Sequence, residues 1–208
     1  MDLDYPEEIG IKTNQDIINN VLKEKVFLKV SNFSLEEDFE NNCSYVSFTL
    51  SYSRGKTTKT YAIKKTGLGS IDGLFTGIIN QFADTYISLQ DIFLYDFLVK
   101  VNFKESKGLF QTDAPVEVKI VLQGNTRSKN KLYFKAKSNS IIKSGIGAVC
   151  NAVEYLINAE LVVVQLAKDI KFADKRQRMD LKESYTHQLS EFVKFISYAK
   201  VINNLNKN

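Results

Sequence analysis

The sequence has one histidine, His187, two cysteines, Cys43 and Cys150, and no tryptophan. It contains no His-x-His pair and no Cys-x-x-Cys, so the usual zinc ligand sets are excluded and neither a metal nor another cofactor is expected. His187 lies in the polar stretch Tyr185-Thr186-His187-Gln188 with no serine–histidine–acid pattern beside it, which reads as a surface residue rather than a catalytic one. The two cysteines are far apart in the chain and read as thiols, not as a disulfide. No uncharged apolar run reaches the roughly 20 residues that span a bilayer; the longest candidate, Ser144 to Ala167, is interrupted by Glu154 and Glu160. The opening Met1-Asp2-Leu3-Asp4 is acidic where an export signal would be basic and then apolar. A cytoplasmic protein without membrane contact is therefore expected.

What is present suits a globular fold. The chain has 208 residues, 44% of them apolar and 12% aromatic, with only two prolines, enough to bury one good core and too apolar for a disordered chain. The net charge of +4 is uneven: residues 1 to 42 hold ten acids and four bases, and the remainder carries the positive excess. Bases are scattered except at Lys64-Lys65 and Lys175-Arg176-Gln177-Arg178, so a solvated surface is expected before a nucleic-acid footprint.

The hydrophobic period alternates between two and 3.6 in an order that repeats. Asn14 to Lys25 reads as a short helix, Val26 to Phe33 as a strand, and Ser34 to Asn42 as an acidic loop. Val46, Phe48, Leu50 and Tyr52 then alternate with small polar residues, the mark of a strand with one wet face. After the turn at Ser53-Arg54-Gly55-Lys56, Thr58 to Lys64 forms a third strand. The stripe Ile71, Leu74, Phe75, Ile78, Ile79 and Phe82 belongs to a helix lying on a sheet. The same order returns. Phe93, Tyr95, Phe97, Val99, Val101 and Phe103 share one phase of a long strand; Val116, Val118, Ile120 and Leu122 share the next; Leu132 to Lys137 is the third, and a helix opens at Ser138-Asn139-Ser140. Val46 and Val116, Leu50 and Ile120, and Ile71 and Ile141 are each 70 positions apart.

The expected fold is therefore α+β: two strand-strand-strand-helix units in tandem, residues 25–86 and 87–158, between an acidic leader (1–24) and a helical C-terminal extension (159–208). A three-stranded sheet with one helix buries too little alone, so the units should share a core. Gly145, Gly147, Ala148 and Ala152 in the second helix suggest a close helix–helix approach, within the chain or across a dimer. In the extension, Leu181, Tyr185, Leu189, Phe192, Phe195, Ile196, Ala199 and Ile202 mark one closing amphipathic helix.

Four segments carry a family resemblance. Gly67-Leu68-Gly69-Ser70-Ile71-Asp72-Gly73-Leu74 resembles the Gly-x-Gly-Pro-Val-Asp-Ala motif of the C-terminal regulatory domain of 2-isopropylmalate synthase and the related citramalate synthases. Leu94-Tyr95-Asp96-Phe97-Leu98-Val99-Lys100-Val101 is similar to that family's Leu-Asp-Tyr strand, and Thr112-Asp113-Ala114-Pro115-Val116-Glu117-Val118 to its Thr-Asp-Ala-x-x-x-Val segment. Ser138-Asn139-Ser140-Ile141-Ile142-Lys143-Ser144 is similar to Ser-Thr-Asp-Ile-Ile-x-Ala-Ser. Ser70 stands where the family has proline and Ser140 where it has its second aspartate.

The resemblance implies a homodimer that binds a pathway end product, a branched-chain amino acid or a related keto acid, in partnership with a catalytic barrel or a separate catalytic chain. Some 25 leading residues cannot hold a barrel of about 250, so no catalytic residue and no synthase activity is expected. A glycine-bearing turn before a helix exposes backbone N–H groups at the positive end of the helix dipole, a seat for a carboxylate. The candidate ligand residues are therefore Gly67, Gly69, Ser70 and Asp72 at one helix opening, and Ser138, Asn139, Ser140 and Ile141 at the other. Two alternatives are a double-stranded RNA-binding protein, since the first 85 residues run helix, three strands, helix, and a ligand-free scaffold docking through its closing helix.

Overall fold

The computed structural model describes residues 7–101, 103, 114–124 and 130–207, with side chains from residue 12 to residue 205. The start of the leader, Met1 to Pro6, Thr112 and Asp113 of the third motif, and the turn residues Asn125 to Ser128 lie outside them. The chain runs α1 (Glu7–Val21), β1 (Val26–Asp38), β2 (Cys43–Arg54), β3 (Thr57–Gly67), α2 (Ser70–Phe82), a short 3₁₀ turn (Ile87–Asp91), β4 (Ile92–Val101), β5 (Val116–Gly124), β6 (Lys131–Ser138), α3 (Ile141–Lys175), α4 (Met179–Val193) and α5 (Ala199–Lys207). The fold is α+β, and its sheets are two antiparallel meanders, β1-β2-β3 and β4-β5-β6.

The two halves repeat one another in detail. Leu50 faces Val30 and Tyr61, while Ile120, 70 positions on, faces Phe97 and Phe134. In each half the first strand carries a bulge, between Ser31 and Phe33 and between Leu94 and Asp96. The central strands bury the alternation that announced them: Val46, Phe48 and Leu50 in one half, Val118, Ile120 and Leu122 in the other. Gly55, with a φ of 57°, makes the two-residue link from β2 to β3, a conformation that costs glycine nothing.

Several boundaries differ from the sequence reading, each for a local reason. The helix expected over Asn14 to Lys25 is α1, which begins earlier, inside the stretch read as leader, and ends at Val21. The acidic stretch after Phe33 is strand, not loop. Phe33 and Leu35 continue the pairing opposite Phe48 and Val46, Phe33 half-buried and Leu35, Glu36 and Glu37 exposed, and Asp38 closes the turn by accepting the Asn41 N–H at 3.0 Å. In β4 the bulge breaks the single phase, so Leu94 and Phe97 face the same side and Tyr95 the other, over Lys131. The unit boundary after Asn158 falls inside α3, whose 35 residues run unbroken to Lys175. The single closing helix is two, α4 and α5, separated after Val193.

The core lies between the helices and the inner sheet faces. α2 covers β2 and β3; α3 covers β5 and β6 and also reaches β1, which joins the halves. Phe192, Ile196 and Tyr198 of the tail are buried against this core, with Tyr185 and Leu189 alongside. α3 has the length and composition of a bilayer-spanning helix, contrary to the expectation from its glutamates, but its most apolar stretch is 72% buried within the fold.

Candidate ligand site at the helix openings

The two glutamates that interrupt the apolar run of α3 are its main connections to the rest of the chain. Glu154 accepts the Leu28 N–H at 2.6 Å, and Asn158, one turn on, accepts the Val26 N–H at 2.8 Å and donates to the Val26 carbonyl at 3.0 Å. Side chains of α3 thus occupy the edge of β1 that β2 leaves open. Glu160 accepts the Ile87 N–H at 3.2 Å and both the N–H and hydroxyl of Ser88, at 2.9 and 2.6 Å, tying the link between the halves to the same helix. No motif pointed to Asn158, Glu154 or Glu160; their signal was polar residues inside an apolar run, Glu154 and Asn158 one turn apart on one helical face and Glu160 on another.

Burial sets the protonation behaviour here. It raises the Glu154 carboxyl above its ordinary value, partly offset by the Leu28 N–H. It pushes the Cys150 thiol up to about 12, with the Glu154 charge adding to the effect, and raises the Tyr155 hydroxyl, which accepts from Asn14 Nδ2 at 2.8 Å. Cys43 and Cys150 are both free thiols.

At the first candidate opening β3 runs into α2 through a glycine-bearing turn. Gly67 ends β3 and Gly69 caps α2 in an extended conformation with no side chain bonded to the helix start. Asp72 lies in the first turn, where its Oδ2 accepts the Leu68 N–H at 3.0 Å. A Cβ on Gly67 would run into the backbone of Gly73, so only glycine lets the strand pass this close to the helix. Ser70 is half-buried and its hydroxyl does not cap. A separate concavity of about 820 Å³ on the first sheet is lined by Lys64, Lys65 and Thr66 of β3 with Glu36, Tyr45 and Ser47, and by no residue of the opening.

The second opening is closed by its own side chains. Ser140 Oγ accepts the Lys143 N–H at 3.3 Å, Ser138 Oγ accepts the Ser140 N–H at 3.2 Å, and Ser138 and Ser144 share a 2.8 Å hydroxyl bond. Ser144 also donates to the Val116 carbonyl at 2.8 Å. Asn139 and Ile141 are exposed. The openings do meet. A Cβ on Gly145 would collide with the Ile71 side chain, so the small face of α3, one turn in, receives α2 at its second residue. The close approach that the glycines suggested is thus within the chain; the next glycine, Gly147, faces Ala136 of β6.

The arrangement supplies one helix start without a side-chain cap and one carboxylate in its first turn, a set able to hold a small ionic group. Among the described residues no three His, Cys, Asp or Glu side chains gather as a metal site. No protein-family model matches this chain, and no match to it is found among curated proteins.

Proposed function

We propose that this chain is a non-catalytic regulatory-type module, akin to the allosteric domain of 2-isopropylmalate synthase, that homodimerises and binds a branched-chain amino acid for a separate catalytic chain in the cytoplasm. The observation that carries the reading is the seam: matched strand-strand-strand-helix halves whose helices cross at Ile71 and Gly145, with the start of α2 left without a side-chain cap. The first N–H groups of a helix have no partner within it, and a carboxylate satisfies them at the positive end of the dipole.

Asp72 selects within the ligand class. A carboxylate in the first turn repels a simple anion but pairs with an α-ammonium, so the zwitterion of leucine, isoleucine or valine is favoured over the corresponding keto acid. Ser138 and Ser144 share a hydroxyl bond, and the Ser138 and Ser140 hydroxyls take the Ser140 and Lys143 N–H groups, which directs the ligand to the Gly67–Asp72 side. The duplex-RNA alternative needs α1 beside the first sheet, whereas α1 packs mainly on α3, β6 and α4. The scaffold alternative needs a tail helix free to dock, whereas the apolar stripe of the tail is turned inward.

A thermal-shift series tests the reading. Leucine, isoleucine or valine at 100 times its dissociation constant adds roughly 2.7 kcal/mol, or about 5–10 °C in a chain of this size. The keto acids should give little, and Asp72→Asn should remove the amino-acid shift. No shift with any of these acids overturns the ligand reading.

A further inference from the structure

The two halves treat their first strands differently. The outer edge of β1 is closed by Asn158 and Glu154 of α3. By register Ile92 and Leu94 of β4 correspond to Val26 and Leu28. The matching helix is α2, and its 13 residues lie on β2 and β3. Among the described residues β4 is therefore an edge strand, with the Phe97 N–H donated to Asp96 Oδ1 at 2.8 Å, and Phe93, Tyr95, Phe97, Leu98, Val99 and Val101 along it are 37–52% exposed. Folded proteins ordinarily blunt such an edge with charge, proline or a covering element, because it templates further pairing.

We propose that this edge joins two copies of the chain, β4 to β4, antiparallel about a two-fold axis through Leu98. The proposal rests on the dimer proposed above and locates its interface. The sequence of the strand is self-complementary in that register. With Leu98 opposite the partner's Leu98, Asp96 falls opposite the partner's Lys100, and Lys100 opposite the partner's Asp96. Pairing with β5 sets Asp96, Leu98 and Lys100 against Val121, Lys119 and Glu117 on one sheet face, and Phe97 and Val99 against Ile120 and Val118 on the other. The charged pairs therefore share one face with the leucine pair between them, while Phe97 meets the partner's Val99 on the face that continues the core.

Opposite charges directly across an antiparallel pair stabilise and like charges destabilise it. An isologous contact makes each pair twice and then closes, so two three-stranded meanders become one six-stranded sheet. A foreign strand would satisfy the backbone edge equally well, but it would need this same order of charge and apolar residues to match the side chains. The occupant with that order is β4 itself.

The test uses the full chain with Cys43→Ser, which leaves only the buried Cys150. Residues directly opposite in an antiparallel pair have Cα atoms roughly 4.5–5.5 Å apart, within disulfide reach, so Leu98→Cys should give a disulfide-linked dimer on mild oxidation. In sedimentation experiments Asp96→Lys should weaken the dimer by about tenfold, and the exchange Asp96→Lys with Lys100→Asp should restore it to within about twofold. A dimer that neither cross-links through position 98 nor responds to Asp96→Lys overturns the β4 interface and leaves dimerisation standing. A monomer under all conditions overturns both. Weakening by Asp96→Lys without rescue by the exchange overturns the two-fold register.

Discussion

Glu154 binds the Leu28 N–H through one oxygen while burial raises its carboxyl above the ordinary 4.5. A carboxyl whose folded pKa lies above its unfolded one holds its proton longer in the folded state. Stability therefore falls as pH rises from about 4.5 through the folded value, at no more than about 1.4 kcal/mol per pH unit for one proton. Glu154→Gln keeps the accepting oxygen and removes the charge. It should leave stability near pH 4 little changed, raise it at pH 7, and flatten the slope between, as read from urea midpoints across that range. An equal pH slope in the variant would mean that Glu154 is not the titrating group. The same residue shows what the sequence concealed. In the one-dimensional pattern Glu154 and Glu160 look like breaks in an apolar run, because a pattern records polarity and not the backbone N–H groups of Leu28, Ile87 and Ser88 that those side chains meet.

At the level of the elements, the crossing of α2 and α3 has a measurable coupling. Alanine is favoured over glycine inside a helix by roughly 1 kcal/mol, yet a methyl on Gly145 meets the end of the Ile71 side chain. Gly145→Ala alone should therefore gain nothing or destabilise. In an Ile71→Val background, which removes the obstructing methyl, it should recover most of that 1 kcal/mol. A double-mutant cycle with coupling under about 0.3 kcal/mol would contradict the packing described. Elements with one wet and one dry face were legible in advance: β2, β5 and α2 follow directly from alternation and stripe. β1 was cut short because beyond Phe33 its pairing with β2 continues through exposed residues, Leu35, Glu36 and Glu37, with no apolar alternation to announce it. The charged run from Lys168 hid the continuity of α3, since a helix leaving the core loses its stripe before it ends. The α2 opening was legible from Gly67 and Gly69, while the closure of the α3 opening depends on Ser138, Ser140 and Ser144 finding one another and Val116.

For the molecule as a whole, the duplication makes the halves alike, and α3 then treats them unequally. One first strand is covered by Asn158 and Glu154; the other, among the described residues, is an edge with its apolar side chains exposed. That inequality limits how far assembly can go. A protein with one adhesive margin is saturated by a single mate, whereas one with two can add subunits without end, and chain growth rather than pairing becomes the outcome. Replacing Asn158 and Glu154 together with leucine, which fits the helix but bonds neither Val26 nor Leu28, should uncover the second margin and turn a finite particle into filaments. Light scattering that climbs with protein concentration in the doubly substituted chain, but levels off in the parent, would be the signature. On this view Asn158 and Glu154 act together as a terminator of polymerisation.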